Sequence, residues 1–204
     1  MEMKEELAKI VARLGILSFG DYMLASGLHT QYYLDFSLLA NNPRYLDRIV
    51  GFLIDKIVEK DLDKDITKIV GIFNKGPLLV IPSSIKMGKP FALFGKYENK
   101  VVIGSVDSND NALIIDDLVS SGKTISRITR TLKNMYKCKV NKAVVILDRE
   151  DGGVTRLKKM GITVYPLIKM TELIDLMYGL GMVGEEEKDI VYSEIKLRKT
   201  GRRQ

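Results

Sequence analysis

Residues 112–124 read ALIIDDLVSSGKT, an apolar run followed by two adjacent carboxylates and then by a loop of small, hydroxyl-bearing residues. The run at residues 112–115 is short and continuous, which is typical of a strand buried on both faces of a parallel sheet. Beyond the loop, apolar residues recur at helical spacing, at Ile125, Ile128 and Leu132. The stretch therefore predicts a strand, a loop and a helix in succession, the repeating unit of open α/β sheets.

The loop at residues 120–124 has the chemistry expected of a phosphate site. Free backbone N–H groups and the positive end of the helix dipole would meet there with three hydroxyls. Asp116 and Asp117 could accept hydrogen bonds from ribose hydroxyls or meet them through a divalent metal. Plain helix caps and strand-end carboxylates are the alternative, but that explains each residue separately and not their order. We therefore predict a site for a phosphorylated sugar.

The same stretch ends in Ser-Gly-Lys-Thr, as the Walker A motif of nucleotide triphosphatases does. That motif requires a glycine five positions before Gly122, and Asp117 stands there. A carboxylate would repel phosphate and could not make the tight turn. This excludes a P-loop nucleotide triphosphatase.

Composition limits the remaining classes. A chain of 204 residues with 46% hydrophobic residues can bury one substantial core. It has no apolar run of membrane-spanning length, and its charged start is unlike a signal peptide, so we expect a soluble, cytoplasmic protein without a membrane partner. The net charge of +6 lies partly in residues 196–204, which we expect to be a solvated basic terminus. The absence of tryptophan and of interleaved aromatic and basic residues argues against a nucleic-acid partner.

Strand-like and helical patterns alternate along the chain. A first helix ending at Gly15 and two strand-like pieces at residues 19–24 and 32–36 precede a helix that begins near Pro43. The pattern predicts an α/β fold with an open, mostly parallel sheet and helices on both faces. Its expected parts are residues 1–40, a core of residues 41–182 and a basic segment of residues 183–204, in one compact unit. The later strands are expected at residues 68–73, 91–94, 112–115, 143–147 and 162–167.

Three polar loops would meet at one edge of such a sheet, since ligands lie at the carboxyl ends of parallel strands. These loops are residues 74–76, 116–124 and 148–153. Lys75 could reach a pyrophosphate, or it could be an ordinary surface lysine in a turn. Arg149 offers a planar pair of donors for a carboxylate or for carbonyl groups on a ring, and the alternative is a surface salt-bridge cluster with its acidic neighbours.

With these residues in place, the chain resembles the type I phosphoribosyltransferases and, within them, the orotate phosphoribosyltransferase family. Residues 113–124 are similar to the motif that binds 5-phosphoribosyl 1-diphosphate (PRPP). Residues 22–35 resemble an amino-terminal signature that forms part of a hood over orotate. Residues 70–76 are similar to a loop that contacts pyrophosphate, and residues 147–153 resemble the segment whose arginine holds orotate. The resemblance implies the type I phosphoribosyltransferase fold with a small N-terminal hood.

The resemblance also implies a reaction and a set of site residues. A ring nitrogen of orotate would displace pyrophosphate from PRPP, with Mg²⁺ held mainly through PRPP, giving orotidine 5′-monophosphate in pyrimidine synthesis. The implied enzyme is a pentosyltransferase and a homodimer; the alternative is a regulatory or differently specific protein that binds PRPP or nucleotides. The implied PRPP-binding residues are Lys75, Asp116, Asp117, Ser120, Ser121, Gly122, Lys123 and Thr124, the orotate-binding residues are Ser26, Gly27 and Arg149, and the catalytic residues are Lys96, Lys100 and Asp117.

The catalytic loop departs from the family pattern. Members have an arginine and a lysine after the strand at residues 91–94, then another lysine and usually a histidine. Here Gly95 stands at the arginine position, Lys96 matches the first lysine, and Lys100 is the candidate for the second. The loop lacks histidine and is several residues short. A shorter loop with fewer cations would exclude water less well and stabilise the leaving pyrophosphate less.

Overall fold

The computed structural model describes residues 2–23, 29–95 and 100–199. The chain starts with helix α1 and a two-stranded antiparallel sheet, β1 with β2, followed by a short 3₁₀ helix. Pro43 occupies the first turn of α2, as the sequence predicts, because a proline ring suits a helix start. The bounds of these elements are α1 Glu2–Leu14, β1 Leu17–Met23, β2 His29–Leu34, the 3₁₀ helix Phe36–Asn41 and α2 Pro43–Glu59.

The rest of the described chain forms a six-stranded sheet with flanking helices. Its strand order is β5-β4-β3-β6-β7-β8, and every neighbouring pair is parallel except β4 with β5. The predicted α/β class with an open, mostly parallel sheet is therefore confirmed. The bounds are β3 Lys68–Phe73, α3 Pro77–Met87, β4 Phe91–Gly95, β5 Val101–Ile103, β6 Asn111–Val119, α4 Lys123–Met135, β7 Lys139–Asp148, α5 Gly153–Lys159, β8 Thr163–Lys169, α6 Met170–Gly179 and α7 Glu185–Lys199.

Strand β6 lies in the middle of the sheet and separates two apolar layers. Leu113 and Ile115 pack into the layer that contains α1, α2, α3, α6 and α7, whereas Ala112 and Ile114 pack into the layer with α4 and α5. All four side chains are at most 1% exposed, which confirms the prediction that the run is buried on both faces. The strand is longer than predicted, because its ladder with β7 continues through Asp116 to Val119.

Two elements differ from the sequence prediction. Residues 101–103 form a short antiparallel edge strand, β5, in a segment for which we predicted no strand. Residues 185–199 form helix α7, for which the sequence predicts no element, and its last residues, from Lys196, belong to the stretch expected to be a solvated terminus. Helix α7 packs on β2 and α6 and buries Val191 and Ile195 completely or nearly so. Its mixed charges and sparse apolar positions hide that packing in the sequence.

Within residues 2–23, 29–95 and 100–199, none of the helices combines the length and the apolar character that crossing a membrane requires.

Candidate active site

A cavity of about 410 Å³ opens at the carboxyl ends of β3 and β6. The structure brings together there eight of the residues predicted to bind PRPP. The loops at residues 74–76 and 116–124 both line the cavity, because the carboxyl ends of parallel strands lie at the same edge of the sheet. The lining residues from these loops are Asn74, Lys75, Gly76, Asp116, Asp117, Ser120, Ser121, Gly122, Lys123 and Thr124.

The turn into α4 leaves the helix N-terminus open to the cavity. Gly122 is the N-cap of α4, and within the described residues no side chain makes a capping hydrogen bond there. This contradicts the alternative in which Ser120 and Ser121 cap the helix. Because the first N–H groups of a helix have no intrahelical partner, they remain available to an anion. The loop geometry therefore agrees with the predicted phosphate site.

Two glycines allow this turn to lie against the third predicted loop. Gly122 has a φ of +72°, a left-handed conformation, and a Cβ there would lie 3.0 Å from the carbonyl oxygen of Gly153. A Cβ on Gly153 would in turn collide with the carbonyl oxygen of Ser120. The loop at residues 120–124 and the start of α5 are therefore in close backbone contact, and larger residues would push them apart.

Asp116 and Asp117 lie within β6 instead of after its end, and their positions differ. Asp116 is buried, and Asp117 is partly exposed. The backbone N–H of Asp117 donates to Oδ1 of Asp116 at 3.1 Å, and the N–H of Leu118 donates to Oδ1 of Asp117 at 2.8 Å. The pleat points successive side chains to opposite faces of the sheet, yet both residues line the cavity, because it opens at the carboxyl end of β6.

The electrostatics of the acidic pair favour a ligand. Burial raises the pKa of Asp116 well above its ordinary value, and the charge of Asp117 raises it further. Burial also raises the pKa of Asp117, although the ammonium of Lys75 opposes that effect. Two carboxylates that are costly to ionise side by side gain from hydroxyl donors or a cation. A ribose would supply the hydroxyl donors, and a bound metal would supply the cation.

Lys75 follows β3, and its ammonium is held at the cavity by Asp35. The Nζ–Oδ1 distance is 2.7 Å, and the Tyr33 ring centroid lies 5.9 Å from the ammonium. Burial lowers the pKa of Lys75, but the hydrogen bond to Asp35 and the charge of Asp117 outweigh it, so the net shift is upward. Lys75 is therefore a fully charged group at the cavity edge and not an unconstrained surface lysine.

Arg149 lies outside this cavity, in a buried cluster under the two-stranded sheet. It is 7% exposed, which is inconsistent with the surface salt-bridge alternative. Its Nε donates to the hydroxyl of Tyr32 at 3.1 Å, and its Nη2 donates to Oγ1 of Thr30 at 3.0 Å. The guanidinium also lies over the Tyr32 ring, 4.6 Å from the centroid. The structure thus joins β2 to the segment at residues 147–153, as expected if both form a base site.

The structure leaves other predicted residues away from the cavity or without a description. Ser26, Gly27 and Lys96 lie outside the described residues. Lys100 is exposed, and its carbonyl oxygen accepts a hydrogen bond of 3.0 Å from the N–H of Gly95, which closes the β4–β5 hairpin. Within the described chain Lys100 does not line the cavity. Its catalytic role, like those of Lys96 and Asp117, stays a prediction.

Sequence reasoning missed several residues around the site. Asp35 ends the segment at residues 22–35, but its pairing with Lys75 joins positions forty residues apart. Arg127 lines the cavity one helical turn after Lys123, a spacing that was visible in the sequence. From α7, Glu194 approaches Arg149, and Arg198 pairs with Glu194. Their i, i+4 spacing was also visible in the sequence, but their contacts with Arg149 and Asp151 were not.

The described residues include no group of three or more His, Cys, Asp or Glu side chains that could hold a metal on their own. The carboxylates of Asp116 and Asp117 are the acidic groups that line the cavity. One or two carboxylates are typical of Mg²⁺ sites in which substrate phosphates supply further ligands. The site therefore fits a metal held together with a phosphorylated substrate.

Comparison with known proteins links this geometry to a family. No protein-family model matches the chain. The chain is 30% identical to the orotate phosphoribosyltransferase of Pyrococcus horikoshii over 178 residues, covering 85% of this chain and 94% of the relative. It is 32% identical to the orotate phosphoribosyltransferase of Picrophilus torridus over 164 residues, covering 78% and 94%. The matches cover nearly the whole length of both relatives.

Solved structures agree on the fold. The crystal structure of orotate phosphoribosyltransferase from Aeropyrum pernix superposes with a TM-score of 0.72 at 21% identity, covering 86% of this chain and 99% of that one. Leishmania donovani UMP synthase superposes with a TM-score of 0.82 at 22% identity, covering 95% of this chain and 42% of that one. With the sequence relatives, the fold and the cavity in agreement, the chain belongs to the orotate phosphoribosyltransferase family.

Proposed function

We propose that this chain transfers the 5-phosphoribosyl group of PRPP to orotate, giving orotidine 5′-monophosphate and pyrophosphate in pyrimidine synthesis. The observation that carries the proposal is the single cavity in which Lys75, the acidic pair and the loop at residues 120–124 converge. These groups match the three charged or hydroxylated parts of PRPP, namely its 5′-phosphate, its ribose and its diphosphate.

The 5′-phosphate is assigned to the turn before α4. Ser120, Ser121 and Thr124 supply hydroxyls, and the open N-terminus of α4 supplies N–H donors and a favourable dipole. Lys123 and Arg127 add positive charge along the same wall. The phosphate would anchor the substrate by charge and hydrogen bonds at a point away from the bond that breaks.

The ribose hydroxyls are assigned to Asp116 and Asp117. Displacement at the anomeric carbon develops positive charge on the sugar, so a ribose held rigidly beside carboxylates is favoured in the transition state. The unfavourable ionisation of the free pair gives the site a physical reason to bind hydroxyl donors. Asp117, the more accessible of the two, is the proposed catalytic carboxylate.

The departing pyrophosphate is assigned to Lys75 and to Mg²⁺. Lys75 lies beside Gly76, where a Cβ would collide with the carbonyl oxygen of Ile72, so the chain there is shaped by close backbone packing. A bound Mg²⁺ would neutralise charge on the diphosphate oxygens. Asp116 and Asp117 are the residues that would help to hold it. Lys96 and Lys100 are proposed to add positive charge from the loop after β4.

Orotate is assigned to Arg149, with Ser26 and Gly27. Orotate is an anion, so its binding needs positive charge and oriented donors more than it needs a strong base. Arg149 is rigidly held by Tyr32 and Thr30, which suits a residue that fixes a planar ring. Its place beneath β2 supports a hood over the base, formed by the amino-terminal strands.

A homodimer and a cytoplasmic location are also part of the proposal. Helix α3 exposes Ile85, at 74%, and Ile81 one turn before it, at 36%. Apolar side chains exposed next to each other on a helix are typical of a contact surface. Light scattering coupled to size exclusion tests the assembly: a mass of about twice 23.0 kDa is expected, and a monomer at catalytic concentrations contradicts it.

A panel of bases tests the substrate assignment. The full chain is incubated with PRPP, Mg²⁺ and, in turn, orotate, uracil, adenine or hypoxanthine, and pyrophosphate release is followed. We expect rapid release with orotate and background release with the other bases. Release that depends on another base and not on orotate would show a different specificity and overturn the assignment of Arg149 to orotate.

A further inference from the structure

The buried cluster around Arg149 includes two residues of the C-terminal helix that the reaction scheme above does not use. Glu194 and Arg198 lie four residues apart on α7, on the face that packs against β2. Arg198 Nη2 and Glu194 Oε2 are 2.6 Å apart, and both side chains are mostly buried. Burying ions costs free energy unless they are paired and hydrogen-bonded, so the position of this buried pair calls for a physical explanation.

Glu194 is hydrogen-bonded to β2, the strand of the amino-terminal sheet that Arg149 also contacts. The hydroxyl of Thr30 donates to Glu194 Oε2 at 2.7 Å, and the backbone N–H of Gln31 donates to Glu194 Oε1 at 2.5 Å. The Thr30 hydroxyl has one hydrogen, and Glu194 Oε2 is a nearer acceptor for it than the carbonyl oxygen of Tyr32, at 2.7 Å against 3.0 Å. The Thr30 oxygen is left as an acceptor for Arg149 Nη2. Glu194 therefore fixes the rotation of the hydroxyl that fixes the guanidinium.

Direct charge contacts support the same arrangement. Glu194 Oε2 lies 3.8 Å from Arg149 Nη2, and Asp151 Oδ2 lies 3.6 Å from Arg149 Nε. Arg198 bridges the two carboxylates, since its Nη1 is 3.2 Å from Asp151 Oδ2. The cluster contains two cations and two carboxylates, so neither arginine faces unbalanced charge.

One donor nitrogen of Arg149 is left over. Nε and Nη2 are occupied by Tyr32 and Thr30, whereas Nη1 makes no hydrogen bond within residues 2–23, 29–95 and 100–199. The guanidinium carbon lies 4.6 Å from the centroid of the Tyr32 ring, which restricts the guanidinium on that side. The orientation of the guanidinium is therefore set by the contacts of Nε and Nη2, and those of Nη2, with Thr30 and Glu194, lead to α7.

We propose that Glu194 and Arg198 are positioning residues that hold the Arg149 guanidinium in the orientation that binds the anionic base. The inference rests on the proposed function, because it takes Arg149 as the orotate ligand. It assigns to α7 a part in base recognition, while the PRPP cavity is lined by other elements. Loss of either residue should therefore affect orotate and spare PRPP.

Steady-state kinetics of Glu194→Gln tests this. The amide keeps the size of the side chain and an oxygen acceptor for Thr30, but removes the charge that faces Arg149 and Arg198. We expect KM for orotate to rise roughly tenfold, less than the about 10²-fold that misplacing a reacting group by 1 Å can cost. KM for PRPP should change less than about twofold, within the spread expected for a site that is not touched.

Lys188→Ala is the matched control on the same helix. Lys188 also ties α7 to the body of the protein, through an ion pair of 2.9 Å with Asp175, but it belongs to an exposed cluster with Tyr192. This variant should leave both KM values unchanged. A rise in orotate KM as large as that of Glu194→Gln would mean that only the docking of α7 matters, and would overturn the proposal.

Other outcomes decide between roles for Glu194. An equal rise in both KM values would show a general structural role. A fall in orotate KM would show that Glu194 competes with orotate for Arg149, and both results contradict positioning. If Glu194→Gln does not fold by circular dichroism, Arg198→Lys is used with the same readouts, since it keeps the charge and removes the bridging geometry. Failure of the proposed function would appear already in the wild-type protein, which would not consume orotate, whereas failure of this inference would appear in the variants alone.

Discussion

The ammonium of Lys75 lies 2.7 Å from the carboxylate of Asp35, joining the loop after β3 to the end of the amino-terminal hairpin. The same Asp35 oxygen accepts hydrogen bonds from the backbone N–H and hydroxyl of Ser37, which fixes the carboxylate. Lys75 is thus held in place at the cavity that is proposed to bind PRPP. A pre-positioned cation loses little side-chain freedom when the diphosphate binds.

Lys75→Met should lower kcat by about 10²- to 10³-fold, the usual loss when one stabilising group in the transition state is removed. The measurement is initial rate against PRPP concentration at saturating orotate. Lys86→Met is the control, because Lys86 also forms a 2.7 Å ion pair, with Asp47, on a part of the surface away from the cavity. A loss below about threefold, too small for such a group, would remove Lys75 from the reaction.

Asp117→Asn should weaken the use of PRPP while leaving the fold intact. The amide oxygen can still accept the N–H of Leu118, but the charge available to the ribose is lost. A hydrogen bond to a charged group contributes about 1.5–3 kcal/mol, so we expect kcat/KM for PRPP to fall roughly 10- to 100-fold. Unchanged PRPP affinity by calorimetry would contradict the ribose role of the acidic pair.

Asp116→Asn should stabilise the free protein while impairing turnover. The pKa of Asp116 is raised on folding, so between the ordinary pKa of about 3.9 and the folded value the native state binds more protons than the unfolded state. Stability from this group is therefore present at acid pH and is lost as pH rises through the folded pKa.

Melting temperatures of Asp116→Asn and wild type, compared from pH 4 to pH 8, check this sign. The difference should be small at the acid end and should favour the variant increasingly toward neutral pH, by about 2–4 °C for each kcal/mol. A variant that melts below the wild type at neutral pH would mean that Asp116 is a stabilising anion.

Arg149→Lys should raise KM for orotate far more than KM for PRPP. The charge is kept, so the buried carboxylates of Asp151 and Glu194 are still neutralised in part. The planar fork that contacts Tyr32 and Thr30 is lost, and an ammonium cannot reproduce it. Equal changes in the two KM values would indicate a structural arginine.

A second cavity, of about 940 Å³, lies between α4 and α5 and shares Lys123 and Arg127 with the first. Arg130, Arg156 and Lys159 also line it, so positive charge extends from the loop at residues 120–124 along the surface. Such a field attracts anionic substrates and is screened by salt. Arg130→Ala should raise KM for PRPP at low ionic strength, and about 0.5 M salt should remove most of the difference.

Lys64→Ala controls for net charge in that experiment. Lys64 pairs with Asp61 before β3, at the opposite edge of the sheet from the cavity. It should not alter the salt dependence. If Lys64→Ala raised the KM for PRPP as much as Arg130→Ala does, the change would follow from net charge alone. The basic surface would then have no special part in substrate capture.

The sequence predicted those features that depend on local pattern. The run at residues 112–115 could be read as a buried strand because every residue is apolar, and the turn after it because small residues precede a helical pattern. The extent of β6 could not be predicted, because the pairing of Asp116 with Val145 of β7 depends on the register of a neighbouring strand. Strand β5 is too short, at three residues, to carry a periodic signal.

Long-range contacts were hidden for a different reason. The sequence identified Arg149 as a donor but not its burial, because its partners Thr30 and Glu194 come from distant parts of the chain. Helix α7 looked like a charged terminus, since its buried positions, Val191 and Ile195, are separated by polar residues. Such contacts depend on tertiary packing, which single-sequence patterns do not encode.

Turnover and binding measured on the same preparation of wild-type protein test whether the chain transfers the phosphoribosyl group to orotate. Consumption of orotate is followed with PRPP and Mg²⁺ present, and PRPP binding is measured in parallel by calorimetry. We expect orotate consumption, with equal amounts of orotidine 5′-monophosphate and pyrophosphate formed, despite the short loop between Gly95 and Lys100. PRPP binding without any turnover of orotate would contradict the account and identify a binding protein.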